Sequence, residues 1–263
     1  MPSGTRSATM QKSPRPRRCR GVALALAIAI ALSSAGCAPR PVRSSLASAW
    51  WPSPNFNERR PNYIVLHHTG SSSLDAALVT LSSPDKQVSV HYVVARDGRI
   101  VQLVDERARA WHAGDSRWGP ITDMNSASIG IELDNDGVEA FPAVQITALI
   151  ALLRDICARE RIPATHVIGH ADVAPGRKTD PSAMFPWDAL AAAGFGFWCA
   201  PPLPAAADSF DTLIGLQSFG YDVSDAAAAL RAFRLHFNRD ETSPLPTEHE
   251  RALVQCLSRR AGS

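Results

Sequence analysis

The segment Gly169-His170-Ala171-Asp172-Val173-Ala174-Pro175-Gly176-Arg177-Lys178-Thr179-Asp180-Pro181 carries a histidine and an aspartate ten residues apart, with Lys178 two residues before the aspartate. Further upstream, the apolar run Tyr63-Ile64-Val65-Leu66 delivers a second histidine, His67. Two imidazoles and one carboxylate are a good zinc ligand set. Three protein ligands with one open position mark a hydrolytic site, because the fourth position holds a water whose pKa falls to about 7. His67, His170 and Asp180 are therefore candidate metal ligands. Iron or manganese accepts the same two-histidine, one-carboxylate set. His68 competes with His67, since successive strand residues face opposite ways and only one of them can enter a given cleft.

The loop from Asp172 to Pro181 resembles the metal-site loop of the zinc-dependent N-acetylmuramoyl-L-alanine amidases. These are peptidoglycan-cleaving enzymes of the amidase-2 family, related in fold to a phage lysozyme and to peptidoglycan recognition proteins. The likeness spans roughly residues 55 to 195. It implies an α/β fold with a central mixed β-sheet flanked by helices, and one zinc ion per chain on His67, His170 and Asp180. It also implies hydrolysis of the amide between N-acetylmuramic acid and L-alanine in peptidoglycan or its fragments, for wall turnover and recycling. A non-catalytic peptidoglycan-binding protein on the same fold is the rival reading. Such proteins commonly lose a zinc ligand, whereas His67, His170, Asp180, Glu132 and Lys178 are all present here.

Glu132 stands in Ser128-Ile129-Gly130-Ile131-Glu132-Leu133, a strand that reads as buried, where a carboxylate is costly unless it has a partner or a task. The resemblance makes it the general base and later the proton donor to the leaving amine, with Lys178 steadying the oxyanion. Trp111-His112-Ala113-Gly114 resembles a cleft-wall motif in which the indole of Trp111 covers the sugar face and stem carbons. His91-Tyr92 resembles a family strand in which some relatives place a catalytic tyrosine just before the histidine. Val90 occupies that position here, so Glu132 acts alone and His91 reads as structural. Relatives also carry an arginine two residues before the asparagine matching Asn125. Asp123 stands there instead, and Arg177 or Arg117 is left to hold a substrate carboxylate.

The rest of the catalytic segment, residues 59–200, reads as mixed strands and helices. Leu74, Leu78 and Leu81 have helical spacing, and Val88 to Ala95 and Arg99 to Val104 flank the hairpin signal Asp97-Gly98. Ile146, Leu149, Ile150, Leu153, Ile156 and Cys157 define the longest helix, entered at Phe141-Pro142 and ended before Pro163. Thr165 to Gly169 reads as a strand and Trp187 to Ala193 as a short helix. Beyond a Pro201-Pro204 linker, residues 205–261 show three helical patterns, with Ser224 as N-cap of the middle one. They resemble a small three-helix peptidoglycan-binding-like domain; a cap on the catalytic core is the alternative.

Residues 1–36 read as a secretory leader. Lys12, Arg15, Arg17, Arg18 and Arg20 precede the apolar run Val22 to Leu32, which at eleven residues is short of the roughly 20 needed to span a bilayer. Ser34-Ala35-Gly36 before Cys37 reads as a lipoprotein cleavage site, although leucine is usual where Ser34 stands. An ordinary signal peptide cut nearby is the alternative. Lipid on Cys37, followed by Ala38, places a monomeric enzyme on the periplasmic face of the outer membrane, tethered by residues 37–58. The leader carries six basic and no acidic residues, so the remainder has 21 Lys and Arg against 25 Asp and Glu, a formal charge of −4. That balance removes the support for nucleic-acid binding. Cys157, Cys199 and Cys256 remain; Cys199 and Cys256 can pair only if their Cα atoms approach, which spacing does not reveal.

Overall fold

The computed structural model describes residues 44–58, 61–239 and 242–262. The leader, Cys37 and the first part of the tether lie outside them. In chain order the strands are β1 (Ala49–Trp50), β2 (Phe56–Glu58), β3 (Tyr63–His68), β4 (Tyr92–Val94), β5 (Ile100–Gln102), β6 (Ala108–Ala110), β7 (Ser128–Leu133) and β8 (Val167–Gly169). The helices are α1 (Leu74–Ser82), α2 (Met124–Ala127), α3 (Ala143–Glu160), α4 (His170–Val173), α5 (Trp187–Ala192), α6 (Thr212–Phe219), α7 (Ala226–Phe237) and α8 (Glu248–Ala261).

Six strands form one sheet in the order β1-β5-β4-β7-β3-β8. Only β4 and β5 pair antiparallel, through the Asp97-Gly98 turn, where Gly98 takes φ +86°. The other neighbours are parallel, so the sheet is mixed. The end of the tether segment belongs to the fold: β1 extends the sheet, and β2 pairs with β6. The pattern reading misses β6 and α2, which are three and four residues long, too short to show a period.

Strand alternation assigns the two faces. Ile64, Leu66, Ile129, Ile131 and Leu133 turn to one side, where Ile146, Leu149, Leu152, Leu153 and Ile156 of α3 cover them. Gln145 of α3 donates to the carbonyls of Val94 and Asp134, satisfying the ends of β4 and β7. The opposite face is covered twice. Leu78 and Leu81 of α1 pack on Val93 and Val101, while Leu216, Phe219, Phe233, Leu253 and Leu257 of the last three helices pack with Val65 and Ile168. Between these clusters the same face carries polar residues, with His67 and Glu132 opposite one another in the β3–β7 ladder.

The three C-terminal helices therefore share a core with the sheet, and the described residues form one compact unit. Their apolar faces are buried against Val65, Ile168 and Val173, the packing that the capping alternative expects. Asp225, not Ser224, caps α7, accepting from the Ala228 amide. A disulfide joins Cys199 to Cys256 of α8 across a Cα separation of 6.3 Å. Cys157 is a free thiol, and burial pushes its pKa up to about 11.

A polar contact adds to this packing. The Asp172 carboxylate, 2% exposed, accepts from the Gly169 amide at 2.7 Å, from Tyr221 Oη at 2.6 Å and from His236 Nδ1 at 2.7 Å. Two of these three donors come from the C-terminal segment, Tyr221 from the loop between α6 and α7 and His236 from α7. A chain ended at Pro202 is expected to aggregate or to melt well below the full-length protein in a thermal scan. It would bare the apolar residues under α6 to α8 and leave a buried carboxylate with one donor. A truncated protein with an unchanged, cooperative melt would show the helices to be dispensable to the core.

Candidate active site

β3 and β7 end side by side, and the site lies at their C-terminal ends. His67 is held in a register that sets its Cα opposite that of Glu132. His170 opens α4 directly after β8, and Asp180 returns at the end of the following loop. The Ala171 amide donates to the Asp180 carbonyl at 2.7 Å, closing that loop on itself. His67 Nδ1, His170 Nδ1 and Asp180 Oδ2 are each 3.0 Å from the other two.

The donor set fits a metal ion. His170 Nε2 lies 3.1 Å from the Ala113 carbonyl, which can only accept, so Nε2 carries the proton and Nδ1 presents a lone pair. A tetrahedral zinc with bonds of about 2.0 to 2.1 Å requires ligand atoms about 3.3 Å apart, close to the spacing seen. Burial and the neighbouring His170 lower the pKa of His67 to about 4, keeping it neutral. Among the described residues these three form the group able to bind a metal.

His68, the competing histidine, turns away from the triangle. Its Nδ1 accepts from the Ser182 amide at 3.1 Å, and its ring lies against Gly137 at φ +88°, where a Cβ would come within 2.6 Å. Glu132 is partly buried on the wall of the cleft, and its Oε2 has no hydrogen-bond partner among the described residues. Burial and then the charge of Asp180 raise its pKa well above the ordinary value, with Lys178 opposing them. Lys178 lines the same cleft; its backbone amide donates to the Ala174 carbonyl, and its ammonium has no hydrogen-bond or ion-pair partner among the described residues. The cleft holds about 220 Å³ and has an apolar wall of Ala77, Leu81, Val88 and Trp111.

Arg177 sits elsewhere. Its guanidinium donates to the carbonyls of Ala113 and Asp115, at 2.5 and 2.6 Å through Nη2, and lies over Gly114. It pins the loop whose Ala113 carbonyl also receives His170, and it is not a cleft residue. Arg117 is not one either; it borders a surface hollow with Asp222 and Ser224. Asp123, at the position of the expected arginine, caps α2 and pairs with Arg109. His91 is fully buried: its Nδ1 accepts from the Gly130 amide and its Nε2 donates to the Ala108 carbonyl. Sequence reasoning passed over His112 and Asn125. The Asn125 side-chain oxygen accepts from the amides of His112 and Ala113 at 2.8 and 2.7 Å, and the His112 ring lies beside His67.

Residues 57–183 match the N-acetylmuramoyl-L-alanine amidase family. The chain is 36% identical over 237 residues to the N-acetylmuramoyl-L-alanine amidase AmiD of Escherichia coli, covering 77% of this chain and 84% of that protein. The chain belongs to this amidase family. It is also 34% identical over 157 residues to the 1,6-anhydro-N-acetylmuramyl-L-alanine amidase AmpD of Salmonella typhimurium, covering 52% of this chain and 84% of that protein. The structure of Escherichia coli AmiD with anhydro-N-acetylmuramic acid-L-Ala-D-gamma-Glu-L-Lys superposes with a TM-score of 0.69 at 33% identity, over 84% of this chain and 93% of that one. A Pseudomonas aeruginosa protein in complex with anhydromuramic pentapeptide gives 0.68 at 30% identity, over 77% and 93%.

Metal analysis of purified variants tests the site. His170→Ala and Asp180→Ala are expected to lose the bound ion, whereas His68→Ala should keep one per chain. Loss of metal from the His68 variant with retention in the His170 variant would reverse the ligand assignment.

Proposed function

We propose that this amidase uses zinc to hydrolyse the bond between the lactyl carbonyl of N-acetylmuramic acid and the nitrogen of L-alanine, in peptidoglycan or its soluble fragments. The observation that carries the mechanism is the unpartnered Oε2 of Glu132 on the wall of the cleft that also holds the His67, His170 and Asp180 donors. Zinc held by those donors would polarise the scissile carbonyl and acidify a water beside it.

The chain's own groups supply the proton transfers and the charge. Glu132 takes the proton of the attacking water and returns it to the departing amine; its raised pKa suits both directions near neutral pH. Lys178, whose ammonium has no partner among the described residues, sets that charge where negative charge develops on the carbonyl oxygen. Its charge also favours the ionised form of Glu132. The apolar wall of Leu81, Val88 and Trp111 suits the aliphatic parts of a muropeptide, and the indole a sugar face.

The leader and Cys37 support a lipid-anchored enzyme on the periplasmic face of the outer membrane, acting in wall turnover and recycling. Residues 205–261 are assigned here to the catalytic fold, since their apolar faces are consumed by it.

Glu132→Gln should retain zinc and lose on the order of 10² to 10⁴ in rate on a soluble muropeptide, the scale of a general base. Lys178→Ala should also retain zinc and lower kcat more than it changes KM, as expected for a contact made mainly in the transition state. Mass spectrometry of the products should show free peptide stems. Products cut at another bond, or near-normal turnover by the glutamine variant, would refute this assignment.

A further inference from the structure

We infer that His112 is a positioning residue that fixes which nitrogen of His67 carries its proton, and so prepares that ligand for the metal. The inference rests on the zinc reading above and follows from proton accounting along a chain of buried contacts.

Ser128 Oγ lies 2.5 Å from the Met124 carbonyl in a fully buried position. A carbonyl only accepts, so the hydroxyl proton is committed there. Ser128 Oγ is left with lone pairs to offer His112 Nε2, 3.5 Å away, which must therefore be the protonated nitrogen of that ring. His112 Nδ1 is then an acceptor. It lies 3.1 Å from His67 Nε2, which donates to it. With its proton on Nε2, His67 turns a lone pair from Nδ1 into the triangle completed by His170 Nδ1 and Asp180 Oδ2. The opposite order would protonate His67 Nδ1 and point a proton at the place where the ion must sit.

The His112 ring is built into position. Its amide and that of Ala113 converge on Asn125, and its ring occupies the space over Gly130, where a Cβ would come 2.5 Å from it. The rings lie nearly at right angles, with an interplanar angle of 85° and centroids 5.1 Å apart, an arrangement compatible with the 3.1 Å contact between their edge nitrogens. Partners of this kind around metal-ligating histidines are general. Their loss typically weakens metal binding on the order of 10- to 100-fold. The two ligand histidines are then held by different means, His170 by the Ala113 carbonyl and His67 by a neutral imidazole.

The test measures zinc affinity of the full-length mature protein by competition with a chromophoric chelator. His112→Leu removes the acceptor and should bind zinc on the order of 10- to 100-fold more weakly. His112→Asn sets an amide oxygen near the place of Nδ1 and should recover most of that loss. Cobalt-substituted wild type and the asparagine variant should share a visible spectrum that the leucine variant alters. Unchanged zinc affinity in the leucine variant would overturn the inference, as would an asparagine variant as weak as the leucine one. A rise in KM at saturating zinc with unaltered affinity would also overturn it, showing that His112 touches substrate instead. Should the leucine variant not fold, Ser128→Ala decides: several-fold weaker zinc binding supports the relay, and unchanged affinity refutes it. Wild-type protein that binds no zinc would instead refute the metal reading itself.

Discussion

Three lone-pair atoms, each 3.0 Å from the other two, repel one another unless a cation lies among them. Most of the surrounding architecture resists that repulsion. The β3–β7 ladder fixes His67, the start of α4 fixes His170, and the Ala171 amide closes the loop that returns Asp180. Behind each histidine ligand stands a second contact that removes rotational freedom: the Ala113 carbonyl for His170 and His112 for His67. Arg177 then pins the Ala113 carbonyl from outside. Such preorganisation costs folding free energy, and the cost is met by the two apolar clusters that flank the site on the same sheet face.

The charge pattern follows from that arrangement. Asp180 completes the ligand set as a carboxylate, and burial together with its negative charge works against a second carboxylate nearby. Glu132 is that second carboxylate, and its environment pushes its pKa up. Two acids within one cleft thus take separate tasks through their surroundings, one as a permanent anion and one as a proton carrier. Lys178 keeps the carrier within reach of ionisation. A lysine with a protein partner would be less available to both Glu132 and a developing oxyanion.

The sequence was informative where chemistry and spacing coincide. The ten-residue spacing from His170 to Asp180, the buried carboxylate Glu132 and the strand-end His67 could be read as a site because few other roles suit those residues together. The long helix and the Asp97-Gly98 hairpin were legible from period and turn chemistry. What was hidden depends on approach across the chain. No local signal shows that His112 lies over Gly130, that Asn125 collects two loop amides, or that Arg177 spends its guanidinium on carbonyls. The C-terminal helices were also legible as helices. Their partner was not, because an apolar face states that it must be covered and never by what.

The buried carboxylate of Asp172 carries a further consequence. Its donors Tyr221 and His236 lie 49 and 64 residues downstream, and the disulfide closing the same layer spans 57. During synthesis the metal ligands all emerge before the helices that complete their support. The loop after His170 gains these two donors to Asp172 only once α7 has left the ribosome and docked. The order of emergence thus makes the catalytic site one of the last parts of the chain to become complete, and a chain interrupted before its end has the residues of a hydrolase without the framework that aims them.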